Sequence, residues 1–463
     1  MKTDSVSLQE LLFSHLYYIE KQSLKEISET TGVSITTVSR RLSEANRKNY
    51  IRETCIITPP DEYKESFFKH ITFSVIGKTL TKAFNIQKAG LRQVIVVAGD
   101  KDPRKEVPDT PDTNFVRARR VAGHAAQLFA EQLKALLAKN ESIINIGVNW
   151  GHGVQWVCKY FYDCCDEELR STPGARLALS GLTGLFGVDS DAKEPKLREL
   201  ARQSWEVSSA ANIQAMANVF SDAENIPVRL VRVPAFLNDE IFKEVKDSRD
   251  TQEFLARVYQ ADPGYFRLYG TKPVAPTTHM AQEFLERRMD AFFTDQSEQY
   301  KDSFVLKYGN ILNHDIILTG MSALEDSAGL VQFLAPEFSP DTFKIFRERY
   351  DAFGDVASHI FTKRGEIPRR GESEIGDLNS RALSLWPEDL RDVADIHRQG
   401  DCQEGGVIVV SSGHEKAEPL CIALTKLNIA NYLVIDTNMA WKMYDWLRID
   451  PAVKEADFNT CRF

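Results

Sequence analysis

Two patterns in this chain place side chains where they could do chemistry. The first is a row of short hydroxyl residues followed by arginines: Ser34, Thr36, Thr37, Ser39, Arg40, Arg41 and Arg47. Hydroxyls at the start of a helix allow close approach to a groove, and guanidinium groups behind them read guanine edges or hold phosphates. The second is a set of glycine turns, each following an apolar run. They are Ile146-Gly147-Val148-Asn149-Trp150-Gly151-His152, Leu179-Ser180-Gly181-Leu182-Thr183-Gly184, Leu318-Thr319-Gly320 and Val410-Ser411-Ser412-Gly413-His414-Glu415-Lys416. A strand running through glycines into a helix presents backbone N–H groups and a helix N-terminus to an anion. Together with the positive charge of Lys416, these turns predict a site for a small anionic molecule. Neither G-x-G-x-x-G nor the P-loop pattern occurs, which disfavours a dinucleotide or ATP.

The hydroxyl and arginine row needs a helix beneath it, and the flanking sequence supplies one. Leu8, Leu11, Leu12, Leu16 and Ile19 recur at helical spacing. Ser23-Leu24-Lys25-Glu26 is a capping box opening a second helix to about Thr31, with Leu24 and Ile27 inward. Gly32 supplies the turn, Val33 an anchor, and Ser34 the cap of a third helix. That helix should carry Ile35, Val38, Leu42 and Ala45 inward and Thr36, Thr37, Ser39, Arg40 and Arg41 outward, followed by Arg47 and Lys48. Residues 24–42 have helix-turn-helix spacing, so this segment reads as a binder of double-stranded DNA.

The glycine turns need strands. Apolar runs at 94–99, 143–148, 177–181, 230–234, 316–320, 407–410 and 432–436 alternate with helical patterns at 63–84, 116–139 and 154–161. That alternation predicts a parallel α/β sheet covered on both faces, with the glycine turns at the edge where open α/β sheets bind ligands. Residues 51–60 read as a linker, Asp100–Thr113 as a loop, 260–302 as an insertion, and 364–380 as an exposed loop with a solvated Arg369-Arg370 pair. Two domains are expected: 1–58, a helix-turn-helix module, and 59–463, a domain for effector binding and oligomerisation.

Composition narrows the function class. The 463 residues are 43% hydrophobic and 27% charged, ordinary for a globular chain. No run approaches the ~18 apolar residues of a membrane span, and no signal peptide is read, so a soluble cytoplasmic protein without a membrane partner is expected. Seven cysteines (55, 158, 164, 165, 402, 421 and 461) form no CxxC pair and no Cys/His ligand spacing, which points to reduced, buried thiols and no metal. Net charge is −9, yet residues 1–60 hold eight basic and seven acidic side chains, so a near-neutral module precedes an acidic body. No cofactor is expected. A sugar-phosphate isomerase or deaminase would need a general base, with Asp355, His152, His414 or Glu415 as candidates. No pair among them stands at a spacing that demands acid–base work, so a binding role is favoured over an enzyme.

Taken in their order along the chain, these motifs resemble the SorC/DeoR-type sugar-binding transcriptional regulators of bacteria. The resemblance rests on residues 24–46, the loops at 146–151 and 179–184, Val233-Pro234-Ala235-Phe236, Leu318-Thr319-Gly320-Met321-Ser322, Gly354-Asp355-Val356, Ser412-Gly413-His414-Glu415-Lys416-Ala417 and Val434-Ile435-Asp436. It implies an effector domain like that of sugar-phosphate isomerases, a phosphorylated sugar effector that changes operator affinity, and a homo-oligomer, dimer or tetramer. Carried over by position, Gly147, Asn149 and Gly151 form one ligand loop, and Ser180, Gly181 and Thr183 a second. Gly320 follows on a third strand, Asp355 sits near sugar hydroxyls, and Gly413 and Lys416 hold the phosphate. The sequence departs from the pattern at Trp150 and His152, where hydroxyl residues are usual, and at His414-Glu415, where small or neutral residues are usual. Glutamate beside a phosphate costs affinity unless it points away.

Overall fold

The computed structural model describes residues 4–19, 22–48, 73–99, 111–139, 143–183, 195–226, 228–229, 314–324, 329–334, 340–369, 371–382, 384–399 and 404–459. The linker at 51–60, the strand end beyond Arg229, Gly184, the segment 233–236 and the expected insertion at 260–302 lie outside them.

Three helices form the N-terminal module: α1 (Asp4–Ser14), which runs on through a wider turn at His15–Ile19, α2 (Leu24–Thr31) and α3 (Ile35–Arg47). Phe13, Leu16, Ile27, Val38 and Leu42 close into one buried cluster. The capping box forms as its residue types dictate. Glu26 N donates to Ser23 Oγ at 3.2 Å and Ser23 N donates to Glu26 Oε2 at 2.7 Å. Gly32 takes φ +68°, the left-handed turn that ends α2. One expectation fails. Ile35 is not inward but 46% exposed, because the apolar cluster ends short of the first turn of α3.

The body is built on a sheet in the order β1-β9-β8-β5-β2-β3-β4. Its strands are β1 (Gln93–Val97), β2 (Ile144–Val148), β3 (Leu177–Gly181), β4 (Val228–Arg229), β5 (Ile316–Ala323), β8 (Gly406–Val410) and β9 (Tyr432–Asp436), all paired in parallel. Strand residues alternate between two cores. Val96, Ile317, Val407, Val409, Leu433 and Ile435 enter one, while Val97, Ile316, Leu318, Ile408, Val410 and Val434 enter the other. Burial on both faces is what helical crossovers between parallel strands require.

On the first face lie α4 (Ser74–Ile86), α11 (Pro387–Gln399), α12 (Ala417–Ile422), α13 (Thr437–Trp446) and α14 (Pro451–Asn459). On the second lie α5 (Pro111–Lys139), α6 (His152–Cys164) and α8 (Ser209–Ala217), the last preceded by α7 (Pro195–Glu206). Helix α5 opens at Pro111, inside the stretch expected as a loop to Thr113. Proline fits a first helical position because its φ is preset and its missing N–H has no partner there.

Two features fall outside the parallel-sheet expectation. The C-terminal end of β5 continues into an antiparallel hairpin of β6 (Ala352–Val356) and β7 (His359–Thr362). Its two-residue turn puts Ala357 at φ +50° and Ser358 at φ +67°, conformations that glycine or asparagine usually supplies. Both residues are buried, so packing holds a strained turn in place. The second is a helix, α10 (Glu374–Arg381), capped by Ser373 within the stretch expected as a loop. Arg369 there is not merely solvated: its guanidinium lies 3.9 Å from the Trp386 ring and bonds Glu388 at 2.5 Å. Together with α9 (Pro340–Tyr350), these elements build a third apolar cluster of Trp150, Leu324, Phe333, Phe343, Phe346, Ile360 and Ile375.

Candidate functional site

Two arrangements bring the singled-out residues together, one in the module and one at the strand ends. On α3, Ser34, Thr36, Ser39, Arg40, Ser43 and Arg47 are exposed. From Thr36 onward they recur every three or four residues and so form one stripe along the helix. Ser34 caps the helix through Thr37: the two hydroxyls are 2.9 Å apart, which draws the Thr37 side chain into the cap. Arg41 departs from the expected outward face. Its Nη1 lies 3.5 Å from Glu10 Oε1 on α1, and its side chain is 19% exposed. Arg47 pairs with Glu44 one turn back, at 2.8 and 3.1 Å, in full solvent. Ile35 and Ser43 stand on this face unannounced by the sequence reading. Ile35 belongs to the apolar period of α3, and only its place at the helix tip exposes it.

At the other arrangement the chain order reverses. From β2 the next strand, β3, is added on one side; from β5 the next, β8, is added on the other. The gap between β2 and β5 is therefore the topological switch point, beyond whose carboxyl ends open α/β sheets bind ligands. The loops expected to hold an anion converge here.

Asn149 ties these loops to each other. It is 1% exposed. Its Nδ2 donates to Thr319 Oγ1 at 3.1 Å, and its Oδ1 accepts from Trp150 N at 2.9 Å and from Thr183 Oγ1. Its carbonyl accepts from Asn212 Nδ2 at 3.1 Å, and its N–H donates to Leu318 O at 2.9 Å. Thr183 extends the network to Ser384 Oγ at 2.8 Å, and its carbonyl accepts from Ser209 Oγ at 2.6 Å. Buried polar atoms satisfied this fully fix the loop backbone in one conformation. Asn212, Ser209 and Ser384 carry no recognisable motif, and only the fold brings them, with Thr319 of the third glycine turn, to the Asn149 network.

Beyond Asn149 the chain enters α6. Gly151, at φ +122°, caps the helix without a side chain, and its N–H donates to Val207 O at 2.9 Å. Among the described residues no side chain caps the first turn of α6 by a hydrogen bond, and the helix's positive dipole end lies at the strand ends. A Cβ on Gly153 would stand 3.8 Å from Val410 O, and one on Gly320 would stand 3.6 Å from the same oxygen and 3.7 Å from Val154 Cγ2. The first turn of α6 thus passes in van der Waals contact over the ends of β5 and β8.

The remaining expected residues divide by place. Gly147 is inside β2, where a Cβ would come within 2.9 Å of Leu182 Cδ1, so it permits packing. Ser180 and Gly181 are buried in β3. Trp150 is 8% exposed and packs edge-on against Phe333 at 5.8 Å in the third cluster. His152 is half-buried at the start of α6, and its ring centre lies 6.5 Å from that of Phe333. Asp355 is 2% exposed and accepts a bond from Ser322 Oγ, its cross-strand partner on β5.

The last loop is drawn in by Asp436, which is fully buried: Gly413 N donates to its Oδ2 at 2.9 Å and Met439 N to its Oδ1 at 2.9 Å. Gly413 takes φ +99°. The Glu415 carboxylate folds back onto this glycine, so that a Cβ there would stand 2.3 Å from Oε1. His414 Nδ1 lies 3.9 Å from Glu415 Oε2, and Lys416 is half-buried beside them. The carboxylate that would oppose a phosphate therefore does not point away.

Burial pushes the Cys158 and Cys421 thiols up, away from the nucleophilic thiolate form. Among the described residues, no group of three His, Cys, Asp or Glu is placed to hold a metal ion, and no helix is long and apolar enough to cross a membrane.

No protein-family model matches the chain, and no curated protein does. Solved structures do match. The full-length sorbitol operon regulator SorC from Klebsiella pneumoniae is 16% identical, with 93% of this chain and 96% of that one covered and a TM-score of 0.43. The chain is similar to solved bacterial transcriptional regulators. A DeoR family regulator from Listeria monocytogenes is 16% identical over 80% of this chain and 98% of that one, at 0.43. A transcriptional regulator from Streptococcus pneumoniae TIGR4 is 13% identical over 80% and 98%, also at 0.43.

Proposed function

We propose that this chain is a sequence-specific DNA-binding transcriptional regulator whose operator affinity is set by a small phosphorylated sugar or related anionic metabolite. The observation that supports the reading is the glycine-capped N-terminus of α6 at the β5 and β8 ends, in a chain that also bears the α2–Gly32–α3 helix pair. On this reading residues 1–58 read duplex DNA through the α3 stripe and residues 59–463 bind effector and assemble the oligomer, a dimer or tetramer that spaces two recognition helices on half-sites. The effector's anionic group meets the N–H groups of α6 and the loop of Gly413, His414 and Lys416. Gly320 lets it approach the sheet, and Asp355 lies on the side of its hydroxyls. Asn149, Ser180 and Thr183 contribute by holding the loops. Coupling of about 1–3 kcal/mol between the sites suffices for regulation.

Fluorescence anisotropy tests this directly, using duplex DNA from upstream of the gene, scrambled DNA as control, a salt series and a panel of sugar phosphates. Selective binding that one compound shifts is the expected result. Equal affinity for both duplexes under every condition overturns the reading, and turnover of a sugar phosphate that Asp355→Asn abolishes replaces it with an enzyme.

A further inference from the structure

We infer that Glu10, on α1, is a positioning residue that decides which cations of the recognition helix reach a nucleic-acid backbone. The inference rests on the reading of α3 as the DNA-reading helix. Glu10 is 1% exposed, and two basic side chains from the far end of the module close on it. Lys48 Nζ lies 2.6 Å from Oε2 and Arg41 Nη1 lies 3.5 Å from Oε1. Arg41 is folded down far enough that its Nε is shut off from water with no hydrogen-bond acceptor. A buried carboxylate left uncompensated would be strongly destabilising, so the two cations are held by the fold and not merely by surface attraction.

The consequence is an unequal division of the basic residues at this end of α3. Arg40 is exposed and, among the described residues, has no ion pair; Arg47 is exposed and pairs with Glu44 at the surface, where such a pair is weak. Arg41 is turned inward, and Lys48, though exposed along its stem, has its ammonium committed to Glu10. Two adjacent arginines, Arg40 and Arg41, thus have different roles: the first meets DNA, and the second locks α3 against α1 at the angle that presents the stripe.

Counterion release separates these roles, because each phosphate neutralised adds about 0.9 to the slope of log affinity against log salt, a quantity that a purely structural defect does not move in this pattern. The test uses the full-length protein, a short mixed-sequence duplex and a potassium chloride series, with helix content followed by circular dichroism. Arg40→Ala should flatten the slope by about 0.9, and Arg41→Ala should leave it unchanged. Glu10→Gln should steepen it by about 0.9 or more as Arg41 and Lys48 are released to phosphates. An Arg41→Ala slope that flattens as Arg40→Ala does, or a folded Glu10→Gln variant of unchanged slope, overturns the inference alone. If Glu10→Gln unfolds, the Arg41→Ala slope decides by itself. Wild-type protein that binds no duplex overturns both this inference and the reading beneath it.

Discussion

On α3 the polar side chains that matter stand in solvent, from Thr36 to Arg47, and their backbone is satisfied by the helix itself. At the β2–β5 end the arrangement is inverted. There Asn149, Thr183 and Ser180 are at most 3% exposed, and the helix start that follows, at Gly151, is capped by no side chain. On the function proposed above, the difference follows from the targets. A groove lined with base edges is read by long side chains that reach out, whereas a small anion is held by N–H groups whose spacing must be fixed in advance. A residue type that signals contact in one region therefore signals scaffolding in the other.

The contrast breaks most readily at Asn149. Asn149→Ala removes the acceptor for Trp150 N and Thr183 Oγ1 and the donor to Thr319, leaving several buried groups unsatisfied at ~1–3 kcal/mol each. A loss of roughly 3 kcal/mol in unfolding free energy is expected by chemical denaturation; a change under ~0.5 kcal/mol would mean the network is not structural. Ser23→Ala is the matching change in the module. It removes one cap bond and should cost ~1 kcal/mol, seen as earlier melting of the N-terminal helices with the body unaffected.

Smaller effects sharpen the comparison. Glu415→Gln takes the opposing charge off the Gly413 loop, so inorganic phosphate should bind a few-fold tighter by calorimetry. Weaker binding by the variant would place Glu415 among the ligand's partners. The smallest effect concerns pH. The Ser23 backbone bond, then the Ser23 hydroxyl, hold the Glu26 carboxyl below its usual range. A depressed carboxylate contributes stability that is present above the unfolded value near 4.3 and lost as pH falls through the folded one. Module stability should therefore fall as pH drops below about 4.3 more steeply in wild type than in Glu26→Gln, measured by helix content.

The module was legible almost to the residue, because its signals are local. Ser23, Glu26, Gly32 and Ser34 act on neighbours three or four positions away, and such rules survive without knowledge of the rest of the chain. The strands were legible for the same reason, since continuous apolar runs report burial on both faces. What was not legible depends on distant partners. Nothing near Arg41 announces Glu10, 31 positions earlier, and nothing near Asn149 announces Asn212 or, through Thr183, Ser384. The β6–β7 hairpin escaped notice because its turn, Ala357-Ser358, lacks the glycine or asparagine that marks such turns, its strain being held by packing. Trp150 and Gly147 look like ligand-loop residues in one dimension and prove to be packing residues in three.

The register of β1 against β9 has a temporal consequence. Gln93 pairs with Tyr432 and Val97 with Asp436, and among the described strands β1 has no other neighbour in the sheet. The first strand of the body must wait for the last before its edge is covered. At roughly 5–20 residues per second on a ribosome, that wait is tens of seconds. The three-helix module, whose described contacts all fall within the first 48 residues, can finish within that interval. Each newly made copy would pass through a period in which the N-terminal module exists and the completed sheet does not, so that on the proposed function it could meet DNA before it could answer an effector.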